Sequence, residues 1–590
     1  MKIKMYKKTI LSLLLLLHVS LAITQTNYYI SNTGNDGNSG LNETFAWKTI
    51  TYAVSIESPV SAGDTVFVEA GNYTAENIVI QKNGTVTNPI IIQGYQSIPG
   101  DSPSLDYVFG DNLDPFIMPL IDGEDRSTGI GININGASNI TINNLQITNF
   151  ESGIIDHSHL DDLNTVLDNI IIKDIGDTLA TYSGRAIELY SSNNTIKNCI
   201  TINACAQGIL IYGDYNWIDN CEVYCDDNSS VQAAMDYYIV VYFGNNNSIQ
   251  NCYVERIGNL PHGGHGIGVK GDCENNLIKD CISKNLKGEG FYVRHRGSKY
   301  NTFNNCRAIG VTEGATGFVV RDGASYNEFN NCAVDSCKRG LMFFDTSEDD
   351  GAQYCGRNNN FNNCIITNTE LGIDFNDYDQ DTDVDSNFFN NCIFYNGQTL
   401  INVERNNFDN KMINCIISNY ETLKTETGGY SLSFDFNYCD FYHNEFAMPG
   451  GVGNINVNPQ FTDTTLHNFY LLSTSPCIDA GTAIDAPIFD YEGTTRPKGM
   501  GYDIGAYEYL NTTEIFENDF QKMVLYPNPT NGIIYLSEQN LGLEYQIYSE
   551  DGKLVKIGRL NENKIDVSAL KPGVYIISIN DKKTIEFIKQ

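Results

Sequence analysis

Basic residues are scarce in this sequence. Only 37 Lys and Arg face 72 Asp and Glu across 590 residues, a formal net charge of −35. That deficit excludes wholesale binding to nucleic acid or an anionic membrane, so any anionic ligand needs a local basic patch. Charged residues reach 18%, below the roughly 25% of ordinary soluble domains, which argues against coiled coils and long helices. Long apolar runs are also missing: past the N-terminus nothing approaches about 18 consecutive apolar residues, so no later segment reads as a membrane span. The one apolar run, Ile10 to Leu17, follows Lys2, Lys4, Lys7 and Lys8 and leads into Ser20 and Ala22. Residues 1–22 read as a cleaved signal peptide, and the chain as an exported protein.

What is present is glycine, asparagine and repetition. The chain is too long for one ordinary core and is expected to be elongated or multi-domain. One phrase recurs: a small residue, an alternating strand, a Gly/Asn turn, then Asn-Cys. Gly208 to Tyr212 ends at Asn220-Cys221, Gly266 to Lys270 at Asp280-Cys281, Gly290 to Arg294 at Asn305-Cys306, and Gly317 to Arg321 at Asn331-Cys332. The terminal cysteines (Cys199, Cys221, Cys252, Cys281, Cys306, Cys332, Cys364, Cys392, Cys415) fall 22 to 32 residues apart. Short strands at this period, broken by Gly and Asn, indicate a solenoid of parallel-stacked coils. The coil is too short for two helices and lacks a leucine-rich signature. The fold class is therefore all-β: a right-handed parallel β-helix with laddered turn asparagines, followed by a small C-terminal β-sandwich.

The 16 cysteines of an exported protein ordinarily suggest disulfides. Nine of these, however, share one repeat position and would stack about 4.8 Å apart with parallel Cβ vectors, whereas disulfides prefer Cβ atoms about 3.8 Å apart. They are expected to be small buried hydrophobes. No CxxC pair has zinc spacing.

The chain divides into a signal peptide (1–22), an N-terminal cap with the first coils (23–110), the β-helix with its closing segment (111–509), a polar linker (510–522) and the tail (523–590). Tyr28 to Gly37 and Ala62 to Tyr73 resemble the start of secreted bacterial β-helix carbohydrate enzymes, with Trp47 to Val54 expected as a short plugging helix. Cys477 to Gly481, Arg496-Pro497 and Tyr502 to Tyr509 resemble the closing segment of the same proteins. In the tail, Leu525 to Pro529, Gly532 to Leu536, Tyr548 to Lys553 and Leu570 to Tyr575 alternate strands with Pro/Gly turns. This tail closely resembles the C-terminal sorting domain of the Bacteroidetes type IX secretion system. The resemblance implies passage through the periplasm and a secreted or cell-surface destination, with the secretion machinery as a partner.

Aligning the coils on their leading small residue lets outward positions be read as columns, because side chains alternate faces along a strand. The fourth residue after the small one runs Tyr190, Tyr212, Tyr242, Lys270, Arg294, Arg321, Phe344, Asn376; beside it run Glu188, Leu210, Val240, Gly268, Tyr292, Val319, Met342, Asp374. Three successive cations flanked by aromatics form the basic patch that the composition demanded. The competing reading is solvated decoration and structural stacking. Tyrosine faces suit sugar C–H surfaces, and arginine grips carboxylate or sulfate in a fork. A lysine between cations is expected to have a lowered pKa and to serve as a general base at mildly alkaline pH. The expected chemistry is β-elimination on an anionic polysaccharide. Lys270 takes the C5 proton of a uronate, Arg294 neutralises its carboxylate, Tyr292 or His295 protonates the leaving oxygen, and Arg321, Tyr242, Tyr212, Tyr190, His265 and Phe344 bind substrate.

The strands Gly266 to Lys270 and Gly290 to His295 resemble the lysine and arginine strands of polysaccharide lyase family six, the alginate and chondroitin lyases. That resemblance implies Lys270 as base and Arg294 as its assistant. It departs at Gly263 and His265, where the family usually places calcium-binding acids, so His262 and His265 are expected to contact substrate directly. Calcium, the one cofactor suggested elsewhere, is assigned to Asp377, Asp379, Asp381 and Asp383, against a plain solvated acidic loop. Glu188, Glu289, Asp322, Asp345 and Asp374 lie on or beside the same face. Asp322 and Asp345 are the candidate pair for the second reading, a glycoside hydrolase. A glycan-binding surface protein and a uronate epimerase remain as further readings.

Overall fold

The computed structural model describes residues 25–510 except 75, 102, 104–106, 108, 181–182, 227–234, 259–263, 311–313, 347–353 and 377–382, together with most of 525–589. Residues 1–22, expected as a signal peptide, and the expected linker from 511 onward lie outside the described residues. Two compact units are present, 1–510 and 511–590.

The recurring phrase becomes three parallel strands per coil. In one coil these are His265–Lys270, Leu277–Lys279 and Ile282–Lys284; in the next, Glu289–Arg294, Thr302–Asn304 and Arg307–Ile309. Each pairs in parallel with its counterpart one coil on, as in Ile267↔Phe291, Leu277↔Thr302 and Ile282↔Arg307. Three stacked sheets therefore wrap one long core.

The two laddered residue types do different work at different corners. Between the second and third strands a single left-handed residue turns the chain: Asp280 at φ 53°, Asn305 at 52°, Asn331 at 55°. Asn and Asp tolerate that region better than other non-glycine residues. The cysteine that follows drops into the core. Ten cysteines stack there, the nine expected plus Cys439; all sixteen are buried and none forms a disulfide. Nine of their thiols donate to backbone carbonyls of the coil before, as Cys306 Sγ to Ile278 O at 3.4 Å, and Cys252 Sγ donates to Gln250 O at 3.1 Å.

At the corner between the first and second strands, an inward asparagine in each coil caps its neighbour. Asn276 N donates to Asn301 Oδ1, Asn301 N to Asn327 Oδ1 and Asn327 N to Asn359 Oδ1, each at 3.0 Å. This ladder continues to Asn410 and is buried throughout. It satisfies backbone groups that a tight corner would otherwise leave stranded in the core. Phenylalanines fill the interior beside it, Phe303, Phe329, Phe361 and Phe389 stacking at 4.9, 4.5 and 5.0 Å.

At the N-terminal end Trp47 is buried against Tyr28 at 4.8 Å, next to a single helical turn, Ile50–Ala53, capped by the Thr49 hydroxyl. At the other end the closing segment packs Phe469, Cys477, Ile504 and Tyr507 onto Ile365, Ile393 and Ile416. Arg496 anchors it through Glu508 at 2.7 Å and Asn363 at 3.1 Å. The tail unit consists of two antiparallel sheets around Ile534, Ile547, Ile565, Ile577 and Phe587.

Candidate active site: a groove on the first sheet

Register brings the outward columns together. Tyr242 pairs with Lys270, Lys270 with Arg294, Arg294 with Arg321 and Arg321 with Phe344. Above them lies an open groove of about 720 Å³, lined by Tyr212, Tyr242, Lys270, Arg294, Arg321 and Phe344 of the predicted column and by His265. It is lined equally by a third outward column at the strand starts, Arg185, Gln207, Tyr237 and His265, with Asp236 beside it.

Tyr237 is the residue the sequence reading missed. Its hydroxyl accepts from Arg294 Nη1 at 2.8 Å and from Lys270 Nζ at 3.2 Å. Lys270 Nζ also sits over the rings of Tyr237 and Tyr242, 5.0 and 5.1 Å from their centroids. Where its neighbours lead with glycine, this coil has Tyr238, and the outward residue precedes the position from which the columns were counted. Reading one residue earlier in every coil would have exposed it.

The arginines are not solvated decoration. Arg294 and Arg321 are 4% and 6% exposed, and buried carboxylates hold them. Arg321 donates to Glu289 Oε1 and Asp322 Oδ2, both at 2.9 Å, and Arg294 Nε lies 3.4 Å from Asp322 Oδ2. Glu289 also meets His265 Nδ1 at 2.5 Å. Burial raises the Glu289 carboxyl pKa, but His265, Arg321 and Arg294 outweigh it and hold the group well below the carboxylate range. Asp236, 3.9 Å from His265 Nε2, is the one carboxylate among the described residues that lines the groove; burial pushes its pKa up against the pull of His265, Lys270 and Arg294.

Several expectations are corrected. Tyr292 is fully buried and presents no atom to the groove. Gly268 on the preceding coil is the cause, since a Cβ there would lie 2.7 Å from the Tyr292 ring; the ring folds across that gap beneath Tyr237 and His265. His295 sits in a left-handed turn at φ 80°, 4.0 Å from Asp322, and does not line the groove. Burial and the neighbouring Arg294 lower its pKa. Asp322 and Asp345 are 1% and 0% exposed and both accept from Thr346 N, so they face the wall and not a substrate. Glu188 and Asp374 are likewise buried, paired with Arg185 at 3.2 Å and Arg339 at 2.6 Å.

Tyr190, on the same coil as Arg185, does not itself line the groove but continues its aromatic row, 4.1 Å from Tyr212, which is 5.1 Å from Tyr242. Arg321 stacks on Phe344 at 4.8 Å. His262, Asp377, Asp379 and Asp381 lie outside the described residues; Asp383 opens the strand Asp383–Asp385, opposite Tyr354. Among the described residues no His, Cys, Asp and Glu group is arranged to hold a metal ion. Among the described residues near Lys270, both Glu289 oxygens are taken by cationic or imidazole partners, and Asp236 is the carboxylate that remains.

Comparison with known proteins agrees with the fold and names the tail. Residues 131–334 match the right-handed β-helix region, and residues 524–590 match the secretion-system C-terminal sorting domain. The tail marks a type IX-exported protein, secreted or held at the cell surface; among the described residues no helix is long and apolar enough to cross a membrane. The chain is 27% identical over 138 residues to a lacto-N-biosidase of Bifidobacterium longum, a stretch covering 22% of this chain and 9% of that protein. It is similar to a PL6 family polysaccharide lyase from Pseudopedobacter saltans (12% identity, TM-score 0.40, 78% of this chain and 97% of the other). It is also similar to a GH136 lacto-N-biosidase from Eubacterium ramulus (12% identity, TM-score 0.35, 70% and 67%).

Proposed function

We propose that this protein is an exported polysaccharide lyase that cleaves a uronate-containing glycan by β-elimination in the first-sheet groove. The observation that carries the reading is the convergence of Lys270 and Arg294 on one point of an open, aromatic-flanked groove. Elimination needs a base at C5 and positive charge beside the carboxylate, where the developing enolate places its electrons. Lys270, as the neutral amine, is the base; Arg294 and Arg321, fixed by Glu289 and Asp322, hold the carboxylate without having to reorganise. The row Tyr242, Tyr212, Tyr190 extends the binding surface along the solenoid, the direction in which a glycan chain would run.

A glycoside hydrolase is the second reading, favoured by Asp236, a groove carboxyl whose raised pKa suits a general acid, and by the partial similarity to a lacto-N-biosidase. The test follows ultraviolet absorbance of unsaturated uronate ends beside a reducing-end assay, for the full-length protein and for Lys270→Ala. Absorbance that rises only with intact Lys270 is the expected result. Reducing ends without absorbance would move the assignment to the hydrolase and to Asp236.

A further inference from the structure

Tyr237 stands where Lys270 and Arg294 meet, and its ring is fixed. It stacks on His265 at 4.8 Å and meets Tyr292 edge-on at 5.7 Å. Burial raises the pKa of its phenol, with Arg294 opposing, so it carries its proton at the mildly alkaline pH where a lysine base works. The inference rests on the lyase reading. We infer that Tyr237 is the acid that protonates the leaving glycosidic oxygen from the same side of the sugar as the Lys270 base, and that the substrate is a uronate whose C5 hydrogen and C4 oxygen share one ring face.

The step balances. The Lys270 amine takes the C5 proton, the C5–H electron pair becomes the C4–C5 double bond, and the C4–O bond breaks toward the oxygen. That oxygen takes the Tyr237 proton, leaving a phenolate that faces Arg294 Nη1 at 2.8 Å. The new ammonium, 3.2 Å away, returns a proton to the phenolate, and the pair is reset without solvent.

Distance decides the stereochemistry. A base and an acid serving opposite faces of a pyranose ring stand on the order of 6 Å apart or more, two hydrogen-bond lengths with the ring between them. Lys270 Nζ and Tyr237 Oη are 3.2 Å apart, so both approach one face. In gluco- and manno-configured uronates the C5 hydrogen and C4 oxygen lie on that same face. In galacturonate, and in the C5-inverted gulo and ido forms, they lie on opposite faces.

The test offers the full-length protein four polymers: mannuronate-rich, glucuronate-containing, guluronate-rich and galacturonate. Unsaturated ends are expected from at least one of the first two, with the last two at least about 100-fold slower. Comparable or faster elimination on guluronate or galacturonate would overturn the one-sided mechanism while leaving the lyase reading intact. Reducing ends without unsaturation, or no cleavage of any polymer, would overturn both. Tyr237→Phe keeps the ring and its packing; its kcat is expected to fall about 10²- to 10⁴-fold with KM nearly constant. A folded variant with wild-type kcat would remove Tyr237 from the reaction.

Discussion

Arg294 Nη1 donates to the Tyr237 hydroxyl at 2.8 Å although 57 residues separate the two in the chain. The contact reaches across two coils, past the strand that carries Lys270. The groove is thus assembled by stacking register, and its chemistry depends on residues that belong to no common sequence motif.

Glu289→Gln tests whether the groove arginines are held from beneath. The carboxylate ties His265 and Arg321 in a buried site, and removing one partner of such a network typically costs about 3–5 kcal/mol. A loss of that order in chemical denaturation, with a large fall in turnover, is expected. Because the folded-state pKa lies below the ordinary 4.5, this stability is fully present above that value and is lost as pH falls below it. The gap between variant and wild type should therefore persist at neutral pH and close in acid.

Tyr212→Ala removes a ring one coil from Tyr242 and away from the reacting pair. Aromatic contacts contribute roughly 0.5–1.5 kcal/mol, so KM for polymer should rise about two- to tenfold with kcat little changed. Steady-state kinetics separate this from a catalytic role, which would lower kcat instead.

Asp440→Asn should stabilise the protein in alkali. Asp440 is fully buried, accepting from Val457 N at 3.0 Å and Cys477 Sγ at 3.3 Å. Burial pushes its pKa from 3.8 up to about 6. The folded state thus favours the protonated acid, whose contribution is complete below 3.8 and gone above about 6. A gain of about 1–3 kcal/mol is expected at pH 8, because each tenfold change in a protonation equilibrium is worth roughly 1.4 kcal/mol. It should shrink toward pH 4 in denaturation curves at the two pH values.

Reductant should leave the thermal midpoint unchanged, since none of the sixteen cysteines is bridged. Thiol titration of the native protein should find almost none reactive, and denaturant should release all of them together. A midpoint that drops with reductant would show bridges in the secreted form.

The solenoid was legible because each coil repeats the same physical problem. Asn305-Cys306 and Asn331-Cys332 announce a left-handed corner and a small core residue wherever they occur. The face carrying Lys270, Arg294 and Arg321 was legible through strand alternation. The depth of that face was not. Outwardness was read as exposure, yet Glu289 and Asp322 draw the arginines down, and the absence of a side chain at Gly268 lets Tyr292 collapse over it. Tyr237 escaped notice because its neighbour Tyr238 fills the place that glycine holds in the adjoining coils.

The burial of the groove arginines on their own carboxylates also governs how a polyanion arrives. Among the described residues Arg185, Lys270, Arg294 and Arg321 are matched in and beneath the groove by Glu188, Glu289, Asp322 and Asp236. To a distant ligand the patch therefore offers little field, while the molecule as a whole carries −35. Capture of an acidic chain is then opposed at long range and rewarded only at contact, and salt, which screens charge beyond roughly 8–10 Å near physiological strength, should speed association. Such a protein suits saline surroundings better than dilute ones.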